Sequence, residues 1–406
     1  MDIKELLGFL ECEKVEFKPL YELTFWDKKF AAVDKAWQPK TLKFTHILAK
    51  DLQNLIVPNG DIKLLSTGKF DDYTDIKTAQ NLINEGEVLA IPSGGEANLK
   101  YYKGKFVDSG NILATARDNT NSLKFIYYYL LTRQKDLDSS FRGGSIKHPE
   151  MKKILQIPIP IPPLEIQQKI VEILDAFTEL QAELQAELQA RRKQYEYYRN
   201  KLLSFEELEK RANAIGGGLK LVSLGELGKR NAGTKITANQ MQALHKENAP
   251  VRIFAGGSTI ADVDYRDLPK KDVIDKPSII CKARGYIGFE YYDKPFSHKS
   301  EFWSYTIEKN ANQKFIYYFL VNQQEYFQQI AKANSVKIPQ LKVKNTDNFQ
   351  IPLPPLEVQN DIVELLDKFD TLANDLSAGL PAEIEARQKQ YEHYREQLLS
   401  FREKCE

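Results

Sequence analysis

The sequence predicts an α+β fold in which two mixed α/β globular domains are separated by two long antiparallel coiled-coil helices. Three observations support this class: a long block that occurs twice, short β-rich runs interrupted by Gly and Pro, and apolar residues spaced three and four apart. The 406 residues also exceed the usual size of one domain, which is about 100–200 residues. We therefore expect an internal pseudo-twofold repeat with circular organisation.

The repeat covers most of the chain. IPIPPLEIQQKIVEILDAF at 159–177 recurs as IPLPPLEVQNDIVELLDKF at 351–369, and KQYEYYRNKLLSF at 193–205 recurs as KQYEHYREQLLSF at 389–401. The offset grows from 192 to 196 because four residues are inserted in the second copy. Upstream, KFIYYYL at 124–130 matches KFIYYFL beginning at Lys314. The two copies therefore share these blocks in the same order, whereas the segments between the blocks differ in sequence.

Each copy begins with a mixed globular part. Short runs rich in β-branched and aromatic residues predict strands, and longer apolar-periodic runs predict helices. The predicted strands lie at 87–91, 105–107, 112–115, 277–281 and 302–307, and the predicted helices at 123–132 and 313–330.

A long helix follows each globular part. Consecutive prolines favour an extended segment, and Pro163 and Pro355 are tolerated in the first helical turn. The apolar spacing then predicts a coiled-coil seam, with a local kink near Pro381 in the second helix. The seam residues are Ile166, Ile170, Ile173, Phe177, Leu180, Leu184, Leu188, Tyr195, Leu202, Val358, Ile362, Leu365, Phe369, Leu372, Leu376, Leu380, Ile384, Tyr391 and Leu398.

The domain boundaries follow from this layout. The segment 2–10 resembles the piece that follows the first long helix, so we interpret it as a continuation of the C-terminal helix, interrupted by the chain ends. The predicted parts are a first domain at 1–156 with a short helix at 2–10, a central helix at 157–205, a second domain at 206–348 with a linker at 206–220, and a C-terminal helix at 349–406.

Composition excludes several classes of protein. The longest uncharged apolar run, 125–131, is far shorter than the roughly 20 residues that span a bilayer. Charged residues near the start argue against a secretion signal, so we expect a cytoplasmic protein. The three cysteines lie far apart without CxxC spacing, and the five histidines show no ligand-like grouping, so no metal site is predicted.

Motifs for catalysis are also missing. There is no GxxxxGK[ST] loop for ATP, and the Pro-Pro pairs are followed by Leu164 and Leu356 rather than by an aromatic residue, as a base methyltransferase motif would require. Glu16 and Lys18 have the ExK spacing of some nucleases but lack an upstream Pro-Asp. We therefore predict a non-catalytic protein with no catalytic residues.

A binding surface is the remaining candidate site. Residues 206–348 carry 22 Lys and Arg against 16 Asp and Glu, a local charge of +6 that suits a polyanion. Basic side chains interleave with Ser and Tyr near glycine-rich turns, although the same pattern fits a hairpin with packed tyrosines and solvated lysines. The DNA-binding candidates are Ser93, Lys100, Tyr101, Tyr102, Lys103, Lys105, Arg142, Lys147, Lys282, Arg284, Tyr286, Tyr291, Lys294, His298, Lys299, Lys332 and Lys337.

The duplicated IPxPPLExQ…IVxxLDxF helix ending in KQYEYYRNKLLSF resembles the specificity (S) subunit of type I restriction-modification systems. The resemblance covers essentially the full chain. It implies two target recognition domains that each read one half of a bipartite double-stranded DNA site. It also implies helices that set the spacing and dock two methyltransferase (M) subunits, with restriction (R) subunits joining for cleavage.

In that family the S subunit itself is not catalytic, and S-adenosylmethionine, ATP and magnesium are expected in the partner subunits. The family's Arg-Gly turn is present at Arg284 and Gly285, whereas the first copy has Gly94 and Gly95 without an arginine. Two alternatives stay open at this point: a coiled-coil structural scaffold, and an orphan DNA-binding protein without M or R partners. Salt-sensitive binding to DNA separates the scaffold from the other two hypotheses.

Overall fold

A computed structural model of the chain describes residues 3–308, 310–335, 337–375 and 377–403. It confirms the predicted α+β class. The chain forms two compact units, of which the first contains Met1–Glu183 and Glu385–Glu406 and the second contains Leu184–Ile384. None of the helices in these described ranges is long and apolar enough to cross a membrane.

Helices and strands alternate irregularly along both units. The α-helices are α1 Ile3–Cys12, α2 Leu20–Leu23, α3 Ala49–Leu52, α4 Ile76–Ala79, α5 Leu123–Thr132, α6 Gln134–Ser139, α7 Met151–Leu155, α8 Leu164–Leu202, α9 Phe205–Ala214, α10 Leu224–Leu227, α11 Ala238–Leu244, α12 Gln313–Asn322, α13 Gln324–Asn334, α14 Val343–Asp347, α15 Leu356–Asn374 and α16 Leu380–Leu398. The β-strands are β1 Lys14–Pro19, β2 Thr24–Trp26, β3 Ile62–Leu65, β4 Asp71–Thr74, β5 Asn84–Pro92, β6 Lys100–Asp108, β7 Asn111–Ala116, β8 Phe141–Arg142, β9 His148–Pro149, β10 Pro158–Ile161, β11 Lys220–Ser223, β12 Gly228–Ala232, β13 Val251–Phe254, β14 Ile260–Val263, β15 Ser278–Lys282, β16 Gly288–Tyr292, β17 Phe296–His298, β18 Trp303–Ile307, β19 Gln350–Leu353 and β20 Arg402–Glu403.

A six-stranded sheet forms the body of the first unit, with strand order β2-β7-β5-β6-β3-β4. Its neighbours pair antiparallel except β3 and β6, which are parallel. Leu89 and Ile91 of β5 are buried against Phe125 and Ile126 of α5. Val88 and Ala90, which point to the opposite face of β5, are buried in a second cluster with Phe106 and Leu113, so both faces of this strand are covered.

A histidine fastens the long connection between β2 and β3 to this sheet. The ring nitrogens of His46 lie 2.7 Å from Asp108 Oδ2 and 2.9 Å from Asp27 Oδ2. Hydrogen bonds to Asp108 and Asp27 raise the pKa of His46 to about 9, so the ring stays protonated at neutral pH. The side chain of Asn84 adds two hydrogen bonds to the backbone of Thr45.

Two smaller sheets form the body of the second unit. One has the order β12-β18-β15-β16 and the other β14-β13-β17. The buried residues of β15, including Ile279 and Cys281, pack in one cluster with Phe315 and Phe319 of α12. Burial raises the pKa of the Cys281 thiol, which keeps it protonated and unreactive.

The circular organisation is confirmed. In the first unit β1 pairs antiparallel with β10 and parallel with β20, so segments from both ends of the chain share one sheet. Leu6 and Leu10 of α1 pack in a cluster with Leu398 and Leu399. In the second unit the corresponding pieces are continuous, because α9 follows α8 directly and β11 pairs with β19. The predicted start of the first short helix, Asp2, lies outside the described residues.

The two predicted long helices differ in continuity. The first is a single helix of 39 residues, α8, whereas the second is divided into α15 and α16. The division falls before Pro381 rather than at it, since α15 ends at Asn374. Pro381 is the second residue of α16, in the first turn, where a missing backbone N–H breaks no helical hydrogen bond.

Helical segments face each other in each unit, and those of α8 and α16 in the first unit run antiparallel. In the first unit, Phe177 lies 5.6 Å from Tyr394 between ring centroids, and Gln181 Nε2 donates to Gln388 Oε1 over 2.7 Å. In the second unit, Tyr198 stacks on Phe369 at 5.4 Å. These aromatic contacts come from the repeated KQYExYR and LDxF motifs.

The seam of α15 is offset from the predicted one. Leu365 and Leu372 each expose 39% of their surface, whereas their neighbours Leu366 and Ala373 are buried. The reason is that α15 also packs against α12, so its buried face is shifted by about one residue from the face that would meet a single partner helix. The predicted seam residue Leu376 lies outside the described residues.

A polar contact that we call the latch joins α5 to α8 in the first unit. Asp175 of α8 accepts hydrogen bonds from Lys124 Nζ at 2.7 Å and from the Tyr128 hydroxyl at 2.6 Å. The buried side chain of Gln167 accepts from the Ser122 backbone N–H at 2.9 Å and donates to the Pro162 carbonyl. Both the carbonyl oxygen and the amide nitrogen of this buried side chain therefore have hydrogen-bond partners.

The second unit contains the same latch between α12 and α15. Asp367 accepts from Lys314 Nζ at 2.7 Å and from the Tyr318 hydroxyl at 2.5 Å. Gln359 accepts from the Asn312 backbone N–H at 2.8 Å and donates to the Pro354 carbonyl at 2.7 Å. The repeated sequence anchors therefore correspond to one repeated set of contacts between a globular part and its helix.

We expect Asp367→Ala to lower the melting temperature of the full chain. The change removes two hydrogen bonds to a carboxylate, which together contribute about 1–3 kcal/mol in a half-exposed site. Thermal unfolding followed by circular dichroism measures the effect, with the exposed Asp361→Ala on the same helix as the matched control. Equal melting temperatures for the two variants would show that the latch does not stabilise the unit.

Candidate nucleic-acid interface

The first unit brings together two segments that the sequence separates by about fifty residues. The turn after β5, residues 93–95, lies beside the loop between β8 and β9. The Gly95 backbone N–H donates to the Lys147 carbonyl at 2.8 Å, and His148 Nδ1 lies 2.7 Å from the Ser93 carbonyl. Gly95 has φ +105°, a conformation that residues other than glycine rarely adopt. Two predicted DNA-binding candidates, Ser93 and Lys147, are thus in one place.

The second unit contains the equivalent arrangement. Gly285, with φ +79°, donates its backbone N–H to the Pro339 carbonyl at 2.8 Å. Arg284 forms an antiparallel bridge with Gln340. The two candidate segments of this copy, the Arg-Gly turn and the segment around Lys337, are therefore adjacent as well. We call each turn with its neighbouring basic segment a turn cluster.

A glutamine that the sequence analysis missed supports the second turn cluster. Gln328 of α13 accepts a hydrogen bond from the Ile287 backbone N–H at 2.8 Å and donates to the Gly285 carbonyl at 3.2 Å. Its side chain thus holds both sides of the turn that carries Arg284. A single glutamine on a helical face has no sequence signal that distinguishes it from its solvated neighbours.

The cations of the turn clusters are available to a ligand. Arg284 and Lys147 are exposed, and Tyr286 exposes 77% of its surface. Lys332 and Lys337 are exposed too. Within the described ranges none of these four cations forms an ion pair, whereas the candidate Arg142 lies 3.1 Å from a carboxylate oxygen of Glu150.

The tyrosine candidates on strands, Tyr101, Tyr102 and Tyr291, are partly buried. The Tyr101 hydroxyl donates to Glu87 at 2.8 Å, and burial raises its pKa. The ammonium groups of Lys124 and Lys314 lie 5.2 and 5.6 Å from the ring centroids of Tyr101 and Tyr291. These two tyrosines thus pack beside the latch in equivalent positions, as the alternative of an ordinary hairpin expected. Tyr102 packs edge-on against Phe106.

Several predicted lysines are already paired. Lys103 lies 3.7 Å from Glu87, Lys282 lies 2.6 Å from Glu290, and Lys299 lies 3.1 Å from Glu301. Lys100 donates to two backbone carbonyls, those of Ser66 and Gly68. The partners lie on neighbouring strands or turns, which the sequence could not place. Lys105 on β6 and Lys294 between β16 and β17 are exposed.

The candidate His298 is wrong for a DNA contact. Its side chain is fully buried, and burial lowers its pKa to about 4, so the ring is neutral. The ring packs 6.2 Å from Phe296 in the core of the second unit. Alternation along β17 does not distinguish it, because all three residues of that short strand are buried.

No group of three or more His, Cys, Asp or Glu side chains with the arrangement of a metal site occurs among the residues that the structure describes. The chemistry that the turn clusters offer is that of binding: guanidinium and ammonium donors, a tyrosine ring, and backbone fixed by hydrogen bonds. Arginine and lysine bind phosphate oxygens and the guanine edge, and their placement on turns suits a groove.

Comparisons with known proteins agree with this chemistry. The profile of the family described as the type I restriction modification DNA specificity domain matches residues 45–191 and 217–386. A putative type I restriction enzyme specificity subunit of Haemophilus influenzae is 31% identical over 410 residues, which cover 93% of this chain and 98% of that protein. The specificity subunit of the type I restriction enzyme EcoR124I/EcoR124II of Escherichia coli is 34% identical over 310 residues, covering 71% of this chain and 74% of that protein.

The fold is shared with a solved structure. The crystal structure of the S subunit of a type I restriction-modification system from M. genitalium matches with a TM-score of 0.65. The match covers 96% of this chain and 97% of that one, at 18% identity. At such low identity the likeness concerns the fold alone.

We expect Gln328→Ala to speed amide hydrogen exchange in the peptide that contains Ile287. The Ile287 N–H loses its acceptor, and a hydrogen bond of this kind contributes about 0.5–1.5 kcal/mol, which corresponds to roughly three- to tenfold faster exchange. Exchange measured by mass spectrometry tests this, with the exposed neighbour Gln329→Ala as the matched control. Unchanged exchange would mean that Gln328 does not hold the turn.

Proposed function

We propose that each unit of this chain reads one half of a bipartite double-stranded DNA target. The chain belongs to the family of type I restriction-modification DNA specificity subunits, and the proposal rests on that membership. The chain supplies recognition in this proposal. Methylation and cleavage belong to partner M and R subunits, which hold S-adenosylmethionine, ATP and magnesium.

The observation that carries the proposal is the repeated turn cluster. In both units a glycine turn is hydrogen-bonded to a second segment that carries exposed basic residues. The Gly95 N–H donates to the Lys147 carbonyl, and the Gly285 N–H donates to the Pro339 carbonyl. Both clusters belong to domains joined to their helices by the same latch. One scaffold therefore presents two reading surfaces with different residues, as a target with two unlike halves requires.

The chemistry of the second cluster suits direct readout of bases. A guanidinium such as that of Arg284 donates two parallel hydrogen bonds to the O6 and N7 atoms of guanine in the major groove. Lys332 and Lys337 are exposed on the adjoining segment and are suited to phosphate oxygens, which fix the register of the protein on DNA without reading sequence.

The helices have two proposed roles: setting the spacing between the half-sites and docking two methyltransferase subunits. An exposed apolar stripe on α15 supports docking. Leu365 and Leu372 each expose 39% of their surface and flank Phe369, and Tyr197 of α8 exposes 59%. Apolar side chains arranged along a helix face are typical of a protein interface.

Arg284→Gln is expected to remove the preference for at least one base pair in one half-site only, because a bidentate contact contributes about 1–3 kcal/mol of discrimination. The measurement is selection from a randomised duplex library at fixed salt, with the full chain alone and with its cognate methyltransferase subunit. Arg266→Gln, which alters an exposed arginine paired with Asp264, is the control. Loss of preference in both halves would contradict the assignment of one half to each unit.

The same selection separates the function from its alternatives. Recovery of a bipartite motif with a constant gap by the unaltered chain is the expected result. DNA binding without any motif, or no salt-sensitive binding, would overturn the recognition role in favour of a scaffold.

The docking role predicts that Leu365→Asp with Leu372→Asp abolishes co-purification of the methyltransferase subunit. Charged groups placed in an apolar contact must lose their hydration, whereas the exposed sites tolerate them in the free chain. Leu221→Asp, which changes an exposed leucine on β11 outside the two long helices, is the control and should leave assembly intact. An intact complex with the double variant would place the docking surface elsewhere.

A further inference from the structure

The two units differ in the cation that their turn clusters carry. The second unit has Arg284 at its glycine turn, whereas the first has Gly94 and Gly95 there and no arginine. A neighbouring hairpin turn in the first unit, residues 66–70 between β3 and β4, carries an exposed lysine, Lys69. Lys69 forms no ion pair with any residue that the structure describes.

This hairpin turn is fixed to the loop that contains Gly94 and Gly95. Lys100 Nζ donates to the Ser66 carbonyl at 2.7 Å and to the Gly68 carbonyl at 2.5 Å. Asn98 Nδ2 donates to the Gly68 carbonyl at 2.9 Å. Side chains from the β5–β6 loop and from the start of β6 therefore fix the backbone of the turn that carries Lys69, because they donate hydrogen bonds to its carbonyl groups.

A cavity of about 500 Å³ lies where the loops of the first unit meet. Lys69 lines it from the hairpin turn, Glu96 and Asn98 line it from the β5–β6 loop, and Lys147 lines it from the β8–β9 loop. Gln134 and Asp138 of α6 complete the polar part of the wall, with Gln134 Nε2 donating to Asp138 Oδ1 at 2.9 Å. The cavity thus collects side chains from each segment of the first turn cluster and from the hairpin turn beside it.

The lining combines donors with acceptors. Lys69 and Lys147 donate hydrogen bonds, whereas the carboxylates of Glu96 and Asp138 accept them. A phosphate group in this cavity would be attracted by the two ammonium groups and repelled by the two carboxylates, so the lining as a whole does not favour an anion. The major-groove edge of a base pair suits the lining better, because it displays acceptors such as guanine O6 and N7 together with amino donors such as cytosine N4.

The second unit lacks a cation at the corresponding hairpin turn. Residues 255–259, between β13 and β14, are Ala, Gly, Gly, Ser and Thr. Lys282 reaches this turn, with Nζ 3.4 Å from the Gly257 carbonyl, but also pairs with Glu290. Among the described residues, the unpaired cations beside the glycine turn are therefore Lys69 and Lys147 in the first unit and Arg284, Lys332 and Lys337 in the second. The cation that the glycine turn itself supplies in the second unit has its counterpart on the hairpin turn in the first.

We propose that the cavity bounded by Lys69, Glu96, Asn98 and Lys147 reads base edges in the half-site of the first unit. Lys69 takes the role there that Arg284 has in the second unit and donates to guanine. This assignment rests on the proposed function and extends it, because it identifies the hairpin turn at 66–70 as a reading element.

The test is selection from a randomised duplex library by the full chain with its cognate methyltransferase subunit. Lys69→Gln removes the charge, Lys69→Arg keeps it, and Lys50→Gln alters an exposed lysine of the same unit that does not line the cavity. We expect Lys69→Gln to lose a base preference in the half-site that Arg284→Gln leaves intact. Affinity for the original motif should fall about tenfold, the effect of one lost base contact. Lys69→Arg and Lys50→Gln should retain the motif.

Three results would overturn the inference while leaving the proposed function in place. They are an unchanged motif with Lys69→Gln, a change in the same half-site that Arg284→Gln alters, and a uniform loss of affinity with a shallower salt dependence, which indicates a phosphate contact. If the unaltered chain selects no bipartite motif, the proposed function fails and this inference fails with it. Thermal unfolding of each variant confirms that it is folded.

Discussion

In each unit, one half-exposed aspartate on the helix, Asp175 or Asp367, accepts hydrogen bonds from a lysine and a tyrosine of the globular part. The buried glutamine eight residues earlier completes this contact by bonding backbone groups on both sides. The apolar surfaces alone would allow neighbouring registers, because leucine and isoleucine side chains fit one another at many offsets. The polar contact has its partners in one register only, so it determines how the sheets and their loops are oriented on the helix within each unit.

The turn clusters depend on that orientation. Tyr101 and Tyr291 contact the lysines of the latch from the strand that leads away from each glycine turn. In each hairpin a strand residue thus packs beside the latch, whereas the turn carries the candidate reading residues. The chemistry that the two copies share lies in the packed strand residue, and the chemistry that differs lies in the exposed turn.

Much of this architecture could be predicted from the sequence, because repetition reports shared structure directly. The duplicated block predicted the two helices and their pairing, and the likeness of 2–10 to the segment after the central helix predicted the circular arrangement. Contacts that depend on strand register or on tertiary packing could not be predicted. Lys282 of β15 pairs with Glu290 of the adjacent strand β16, and His298 is buried in the core of the second unit. The seam at Leu366 rather than Leu365 reflects packing against α12, which a spacing rule for two helices does not include. Gln328 and Lys69 could not be selected from the sequence, because their proposed roles depend on residues that only the fold brings beside them.

The separation of the latch from the turn clusters also bears on how such a protein changes during evolution. Most substitutions in a folded core lower stability, and proteins tolerate few of them before they unfold. Arg284, Lys147 and Lys69 are exposed and make no ion pair within the described residues, so their replacement costs the fold little. Under the proposed function, new base preferences can therefore arise in one unit by single substitutions, without compensating changes in the helices or in the other unit.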